Sequence, residues 1–519
     1  MSLQASPTRN PMAPPGHNSA LGSALVRNTA SNFVGHFALM GLSFLAIPYL
    51  LQQLGSTRYG VLMLLLSFVN AFNLFQFGLN LSLVRYLAGS FEQGHTEDIP
   101  HYVGTALSLF LGAGLAAFAI LAALADWLVV GFFQVPADLQ SDAACSLYLA
   151  AAALLIRFVA ESFAAVPVAA QRFHTVNLLY VGTECARMLG SVVAVHFGFR
   201  LKGVLAVTLL VNLLFLVGNM VAAKRLAPGL RLRPKFSAAH FWRVYPLAKF
   251  LGIAKLSSRI STSADAAILA YFLPVAHITF YTVPQSLCQK IGALIANIIS
   301  ASFPALGALA AAGSHDKLQE LYLRSSKLVA VAASFPALVF CVLGGKLLLH
   351  WVGPELAEHG TLTLGLLSAG FLVNGLMHPA DAVTQAIGHP EISAKVNVMH
   401  MLIYLGLCLI LVPWLGTAGA ATGFLATQLI LAPWLLHTAN RLLQVGWRDL
   451  LWNSYGPVLA PLGMGCMVMI LFWPRTSSLL ALATVCVAAM AVYLMVGAFF
   501  ILDDTERAAC FRFLKRPSS

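Results

Sequence analysis

From Asn28 almost to the C-terminus, apolar runs recur with only short polar breaks, and each is close to the roughly 20 residues a helix needs to cross the hydrocarbon core of a bilayer. About fourteen such runs can be counted, beginning near Asn28, Tyr59, Tyr102, Ala143, Leu178, Gly203, Tyr245, Ala276, Ser326, Thr361, Val396, Ala418, Tyr455 and Ser478. A membrane β-strand shows alternating segments of roughly ten residues. These runs are continuous and twice that length, which excludes an outer-membrane barrel. The pattern predicts an all-α integral membrane protein. Residues 1–27 are rich in Ser, Pro and Asn and lack the apolar stretch of a signal peptide, so they read as a disordered cytoplasmic tail, with a second tail at 503–519.

The polar breaks divide the chain. Residues 224–244 form the longest basic break, with six Lys or Arg and two prolines, and it follows the sixth run. It reads as a cytoplasmic linker between two six-helix halves, 28–223 and 245–440. A weak repeat agrees: Gly203–Ala206 (GVLA) opens the sixth run and Gly419–Thr422 (GAAT) opens the twelfth, 216 residues later. With an even number of spans in each half, the two copies would run in the same direction. The last two runs, 455–502, belong to neither half.

Composition fixes the solvent. With 59% hydrophobic and 10% charged residues in a chain of 519, the apolar side chains exceed what a water-soluble domain could bury. The net charge of +12 raises the question of a nucleic-acid partner, but the cations sit in breaks between spans instead of on one folded surface, and no nucleic acid is expected. They orient the chain instead. With the N-terminus inside, nineteen Lys and Arg fall on the cytoplasmic side and four (Arg58, Arg200, Lys202, Arg475) on the other, so both termini are expected inside the cytoplasmic membrane. The eight cysteines are scattered singly, with no pairing that suggests a metal site. No P-loop, HExxH or GxSxG occurs, so neither enzyme chemistry nor a cofactor is expected.

Several segments resemble a known family. Ile47–Gly60 (IPYLLQQLGSTRYG), followed by Phe77-Gly78-Leu79 and Arg85-Tyr86, resembles the opening of Wzx-type polysaccharide flippases of the multidrug/oligosaccharidyl-lipid/polysaccharide exporter superfamily. Asp265–Leu273 (DAAILAYFL), Trp351–Glu355 (WVGPE) and Gly416–Ala421 (GTAGAA) resemble later family segments in the same order. The resemblance spans roughly residues 28–440 and implies two six-helix lobes around a central cavity. It also implies alternating-access flipping of a polyprenyl-pyrophosphate-linked oligosaccharide from the cytoplasmic to the outer leaflet. Expected partners are that lipid-linked oligosaccharide, membrane lipids, a coupling Na+ or H+, and polysaccharide polymerase machinery. Two alternatives stay open: a multidrug exporter, and a membrane glycosyltransferase or polymerase of polysaccharide assembly.

Charged residues inside the spans carry the site reading, because each costs about 2.5–3.5 kcal/mol at mid-bilayer on insertion scales. At 100° per residue, Lys255, Arg259 and Thr262 share about 60° of the seventh span, with Asp265 on the flank. With Lys290 in the eighth and Arg157 in the fourth, the cations are candidates to meet an anionic head group. Against this, Lys255 and Arg259 can snorkel or pair with Asp265, and Arg157 can pair with Glu161 one turn away, as Glu184 can with Arg187. Asn374, His378, Asp381 and Gln385 form a polar stripe with Pro379 inside it. Asp381 with His378 is the first choice for ion coupling and Asp265 the second, the competing role being polar contact between helices.

Overall fold

A computed structural model describes the backbone of residues 17–72, 74–230 and 233–500; the side chains of residues 17–37, 74–77, 247 and 250–264 lie outside the description. Among the described residues all regular structure is helical. The long helices are α1 (His17–Ala71), α2 (Leu74–Glu92), α3 (Ile99–Ala123), α4 (Gln140–Ala169), α5 (Phe173–His196), α6 (Arg200–Leu226) and α7 (Ala238–Phe272). They continue as α8 (Ala276–Ala311), α9 (His315–Trp351), α10 (Pro354–Ala386), α11 (Pro390–Leu415), α12 (Thr417–Leu443), α13 (Gly456–Leu471) and α14 (Leu479–Phe500).

Local chemistry accounts for several ends. Proline enters the first turn of α3, α10, α11 and α13, where its missing N–H is one the helix would leave unpaired anyway. Inside α1, Gly55 adopts φ 77° and ψ 164°, a conformation side chains resist. The helix kinks there, between the first two predicted apolar runs, and α2 follows closely after. The helix begins at His17, and the last part of the expected disordered tail is therefore helical. Residues 1–16 and the expected tail at 503–519 lie outside the described residues.

Twelve helices among the described residues are long and apolar enough to cross a membrane. α2 and α7, whose side chains are only partly described, are not among the twelve. Large apolar side chains point outward, with Trp414 85% and Leu480 77% exposed, as expected where lipid is the solvent. The interior is filled by Phe110, Phe158 and Phe163 on one side and by Tyr281, Tyr322 and Tyr404 on the other.

Most contacts fall within one of two sets of helices, α1–α6 and α7–α12. α4 lies against α2, α3 and α6, and α5 against α1 and α6; α10 lies against α8, α9 and α12, and α11 against α12 and α7. α13 and α14 pack on each other and on α9. Between the two sets, α1 meets α8 and α2 meets α7. At the Gly55 end this junction is tight. Thr279 donates to the Ser56 carbonyl at 2.7 Å, Ser56 to Glu355 Oε1 at 2.8 Å, and the Trp351 indole to the Phe44 carbonyl at 2.7 Å. A Cβ at residue 60 would stand 2.3 Å from the Val275 carbonyl oxygen. Only glycine permits that approach.

Candidate functional site

Where α1 passes α8, the structure holds a cavity of about 410 Å³ lined by Met40, Phe44 and Ile47 of α1, Leu287 and Lys290 of α8, and Trp351. Its wall is apolar except for Ser43, Ser286 and the Lys290 ammonium. Lys290 is half-buried, and no carboxylate pairs with it among the described residues. In so poorly solvated a wall an ammonium attracts anions more strongly than it would in water. The expected companions Lys255 and Arg259 have side chains outside the described residues.

Arg157 has a different setting. Its Nε donates to Glu161 Oε1 at 2.9 Å, its guanidinium lies 4.0 Å from the centre of the Phe215 ring, and Asn80 donates to the other Glu161 oxygen at 2.7 Å. Arg187 likewise bonds Glu184, at 3.1 Å through Nε. The i,i+4 and i,i+3 spacings predict both pairs; for Arg157 the pairing is the alternative to a cavity role.

The most enclosed carboxylate among the described residues is Asp265, 5% exposed. Tyr404 donates to its Oδ1 at 2.7 Å; Tyr281 and Gln285 donate to Oδ2 at 3.0 and 2.7 Å. Three helices, α7, α8 and α11, thus converge on one carboxylate. The ring of His400 stands 5.7 Å from that of Tyr404, Gln428 donates to His400 Nε2 at 2.9 Å, and Asn374 donates to Gln428 at 3.3 Å. A row of polar groups therefore crosses the second set of helices from α7 to α10.

Asp381 lies near the end of α10, half-buried, and accepts from Gln385 at 2.9 Å and from Ser393 of α11. The expected stripe is divided: Asn374 faces Gln428 of α12, while Asp381 faces the start of α11. Sequence reasoning missed Tyr281, Gln285, Tyr404, His400 and Gln428. The i,i+4 spacing of Tyr281 with Gln285 and of His400 with Tyr404 in otherwise apolar runs was the available signal.

A Polysaccharide biosynthesis protein family model matches residues 25–310. A candidate O-antigen transporter of Shigella flexneri is 22% identical over 77% of this chain and 93% of its own length. The membrane protein EpsK of Bacillus subtilis is 22% identical over 67% and 69%. Among solved structures, an inward-facing multidrug resistance transporter of the MATE family has a TM-score of 0.67 at 16% identity, covering 78% of this chain and 94% of its own. The lipid II flippase MurJ, in an inward closed conformation, has 0.64 at 13% identity, covering 89% and 98%. Those two likenesses concern the fold alone. A multi-pass helical membrane protein whose model match covers more than half its length, this chain belongs to the polysaccharide biosynthesis protein family.

Proposed function

We propose that the protein is a fourteen-span flippase that carries a polyprenyl-pyrophosphate-linked oligosaccharide from the cytoplasmic to the outer leaflet of the inner membrane. The observation that carries this reading is Lys290: an ammonium without a carboxylate partner among the described residues, in an apolar-walled cavity between the two helix sets. A pyrophosphate supplies the missing charge. The family match and the O-antigen transporter likeness supply the class of cargo.

The charge bias orients the molecule, with the linker end and both termini cytoplasmic and Gly55 outside. The two helix sets are then the lobes, α13 and α14 accessory spans, and the Thr279, Ser56, Glu355 and Gly60 contacts an outer closure that must part for release. Asp265 is the favoured coupling carboxylate, since it is enclosed at the junction of three helices; Asp381 and His378 sit nearer the cytoplasmic end. Arg157 belongs to a structural ion pair. The multidrug-exporter reading rests on fold likeness to the MATE transporter, but an unpaired ammonium repels the cations such carriers often take.

The test is Lys290→Gln. Surface polysaccharide export is expected to fall about tenfold, one lost charge contact, at unchanged membrane abundance, while efflux of cationic dyes stays at background in both forms. Normal export by the variant, or dye efflux by the parent, overturns the reading.

A further inference from the structure

A second cavity, of about 390 Å³, lies at the linker end, between the last turns of α2, the start of α3 and the first turns of α7. It shares no residue with the Lys290 cavity. Its wall carries two guanidiniums, Arg85 of α2 and Arg243 of α7, with the Gln93 amide, the Ser90 hydroxyl and the His95 ring. Its single carboxylate, Asp98, has an oxygen 3.9 Å from His240 Nε2. Neither guanidinium has a carboxylate partner within salt-bridge distance among the described residues.

The cavity is held in shape. Tyr86 donates to the Arg243 carbonyl at 2.6 Å, and its ring stacks on that of Tyr102 with centroids 5.8 Å apart. The linker is tied down alongside: Lys235 N–H donates to the Gly104 carbonyl and Ser237 N–H to Thr105 Oγ1, each at 3.2 Å. Two forked cations beside the Gln93 amide match the oxygens of a phosphate, which Arg binds in bidentate fashion.

An independent feature shows where that phosphate comes from. Around Arg243, the rings of Phe236, Phe241, Trp242 and Tyr245 form one cluster with centroids 5.2 to 5.7 Å apart. Three of them are outward-facing: Phe236 is 53%, Trp242 64% and Tyr245 39% exposed. Aromatic rings of this kind settle at the headgroup level of a bilayer. A water-borne phosphate has no use for such a surface, whereas a lipid whose phosphate enters the cavity would lay its chain against it.

We propose that the Arg85–Arg243 cavity is a docking site for the phosphate of a lipid-attached head group at the cytoplasmic surface of the membrane. The cytoplasmic placement rests on the orientation proposed above. Two lipids offer this chemistry, an anionic phospholipid of the bilayer and the diphosphate lipid that carries the saccharide.

The purified full chain, delipidated in detergent, is titrated with phosphatidylglycerol, phosphatidylcholine and a prenyl diphosphate, and retained lipid is read by native mass spectrometry. Phosphatidylglycerol should be retained over phosphatidylcholine, and the Arg85→Gln/Arg243→Gln double variant should lose about tenfold or more of that retention, as expected for charge-assisted contacts. Displacement by prenyl diphosphate identifies the carrier lipid as occupant; failure to displace identifies the bilayer phospholipid. Unchanged retention in the double variant overturns the site. Should that variant aggregate, photo-crosslinking of a phosphate-bearing lipid to the parent protein decides: label within residues 85–102 and 236–245 supports the site, and label only elsewhere refutes it. These readouts involve no transport, so their failure is separable from an unaffected Lys290→Gln export result.

Discussion

In α4 the Glu161 carboxylate meets a guanidinium one turn away, whereas in α7 the Asp265 carboxylate meets two phenols and an amide and no cation among the described residues. An ion pair is neutral as a unit, and removing the charge of either partner strands the other in a poorly solvated place. It suits a scaffold that must not change. A carboxylate held by neutral donors carries its own charge, so gaining a proton or a metal cation alters the whole cluster. The contrast extends along each half: α5 repeats the pairing with Arg187 and Glu184, while α8 presents Lys290 to a cavity with no acid beside it. Under the proposed function, the ion pairs of the first half serve insertion and packing, and Asp265 and Lys290 of the second do work that changes through the cycle.

The sharpest way to break this contrast is Asp265→Asn. The amide keeps the volume, and the hydroxyls of Tyr281 and Tyr404 can turn to accept where they now donate, so the fold should survive. What disappears is the ability to change charge. Gradient-driven transport into vesicles is expected to fall about tenfold or more, while substrate binding persists. Full gradient-driven transport by Asp265→Asn would leave the cluster as a structural knot between α7, α8 and α11.

A smaller effect is expected from the paired region, and on stability instead of transport. Arg157→Met leaves the Glu161 carboxylate with only Asn80, at side-chain exposures of 27% for Arg157 and 15% for Glu161. Loss of one partner from a fully buried pair costs about 3–5 kcal/mol, and this partial exposure reduces it to about 1–3 kcal/mol. Replacing both residues by Met should cost less than either single change. Unfolding midpoints in detergent for the four members of the cycle measure this. Additive losses would mean that the pair is not coupled, and the contrast between the halves would lose one of its sides.

The all-helical membrane fold was legible because lipid imposes long apolar runs, each close to the length of a spanning helix. The Arg157–Glu161 and Arg187–Glu184 pairs were legible for a related reason, since both partners lie on one helix and spacing alone brings them together. The Asp265 cluster was not. Its donors come from α8 and α11, and Tyr404 lies 139 residues away in sequence. Periodicity within a helix says which residues share a face but not which face of another helix it meets. The same limit explains Asp381. A stripe at spacings of four, three and four is visible in the sequence, but its position near the end of α10 and its contact with Ser393 of α11 depend on how two helices meet.

Asp381→Asn is expected to have the smallest consequence, and it tests whether enclosure or sequence pattern is the better guide to a coupling group. Asp381 accepts from Ser393 and from Gln385 in a half-buried position. Asparagine keeps one carbonyl oxygen for the serine hydroxyl. Its amide can no longer accept from Gln385, but the Gln385 side chain is exposed enough to turn to water. The loss is therefore about one ordinary hydrogen bond, near 1 kcal/mol, and gradient-driven transport should stay within about twofold of the parent. The group that changes charge must be cut off from bulk water in at least one state, and Asp265 at 5% exposure meets that condition where Asp381 does not. A collapse of coupling in Asp381→Asn with normal coupling in Asp265→Asn would reverse the assignment and move the working charge of the second half to the C-terminal end of α10.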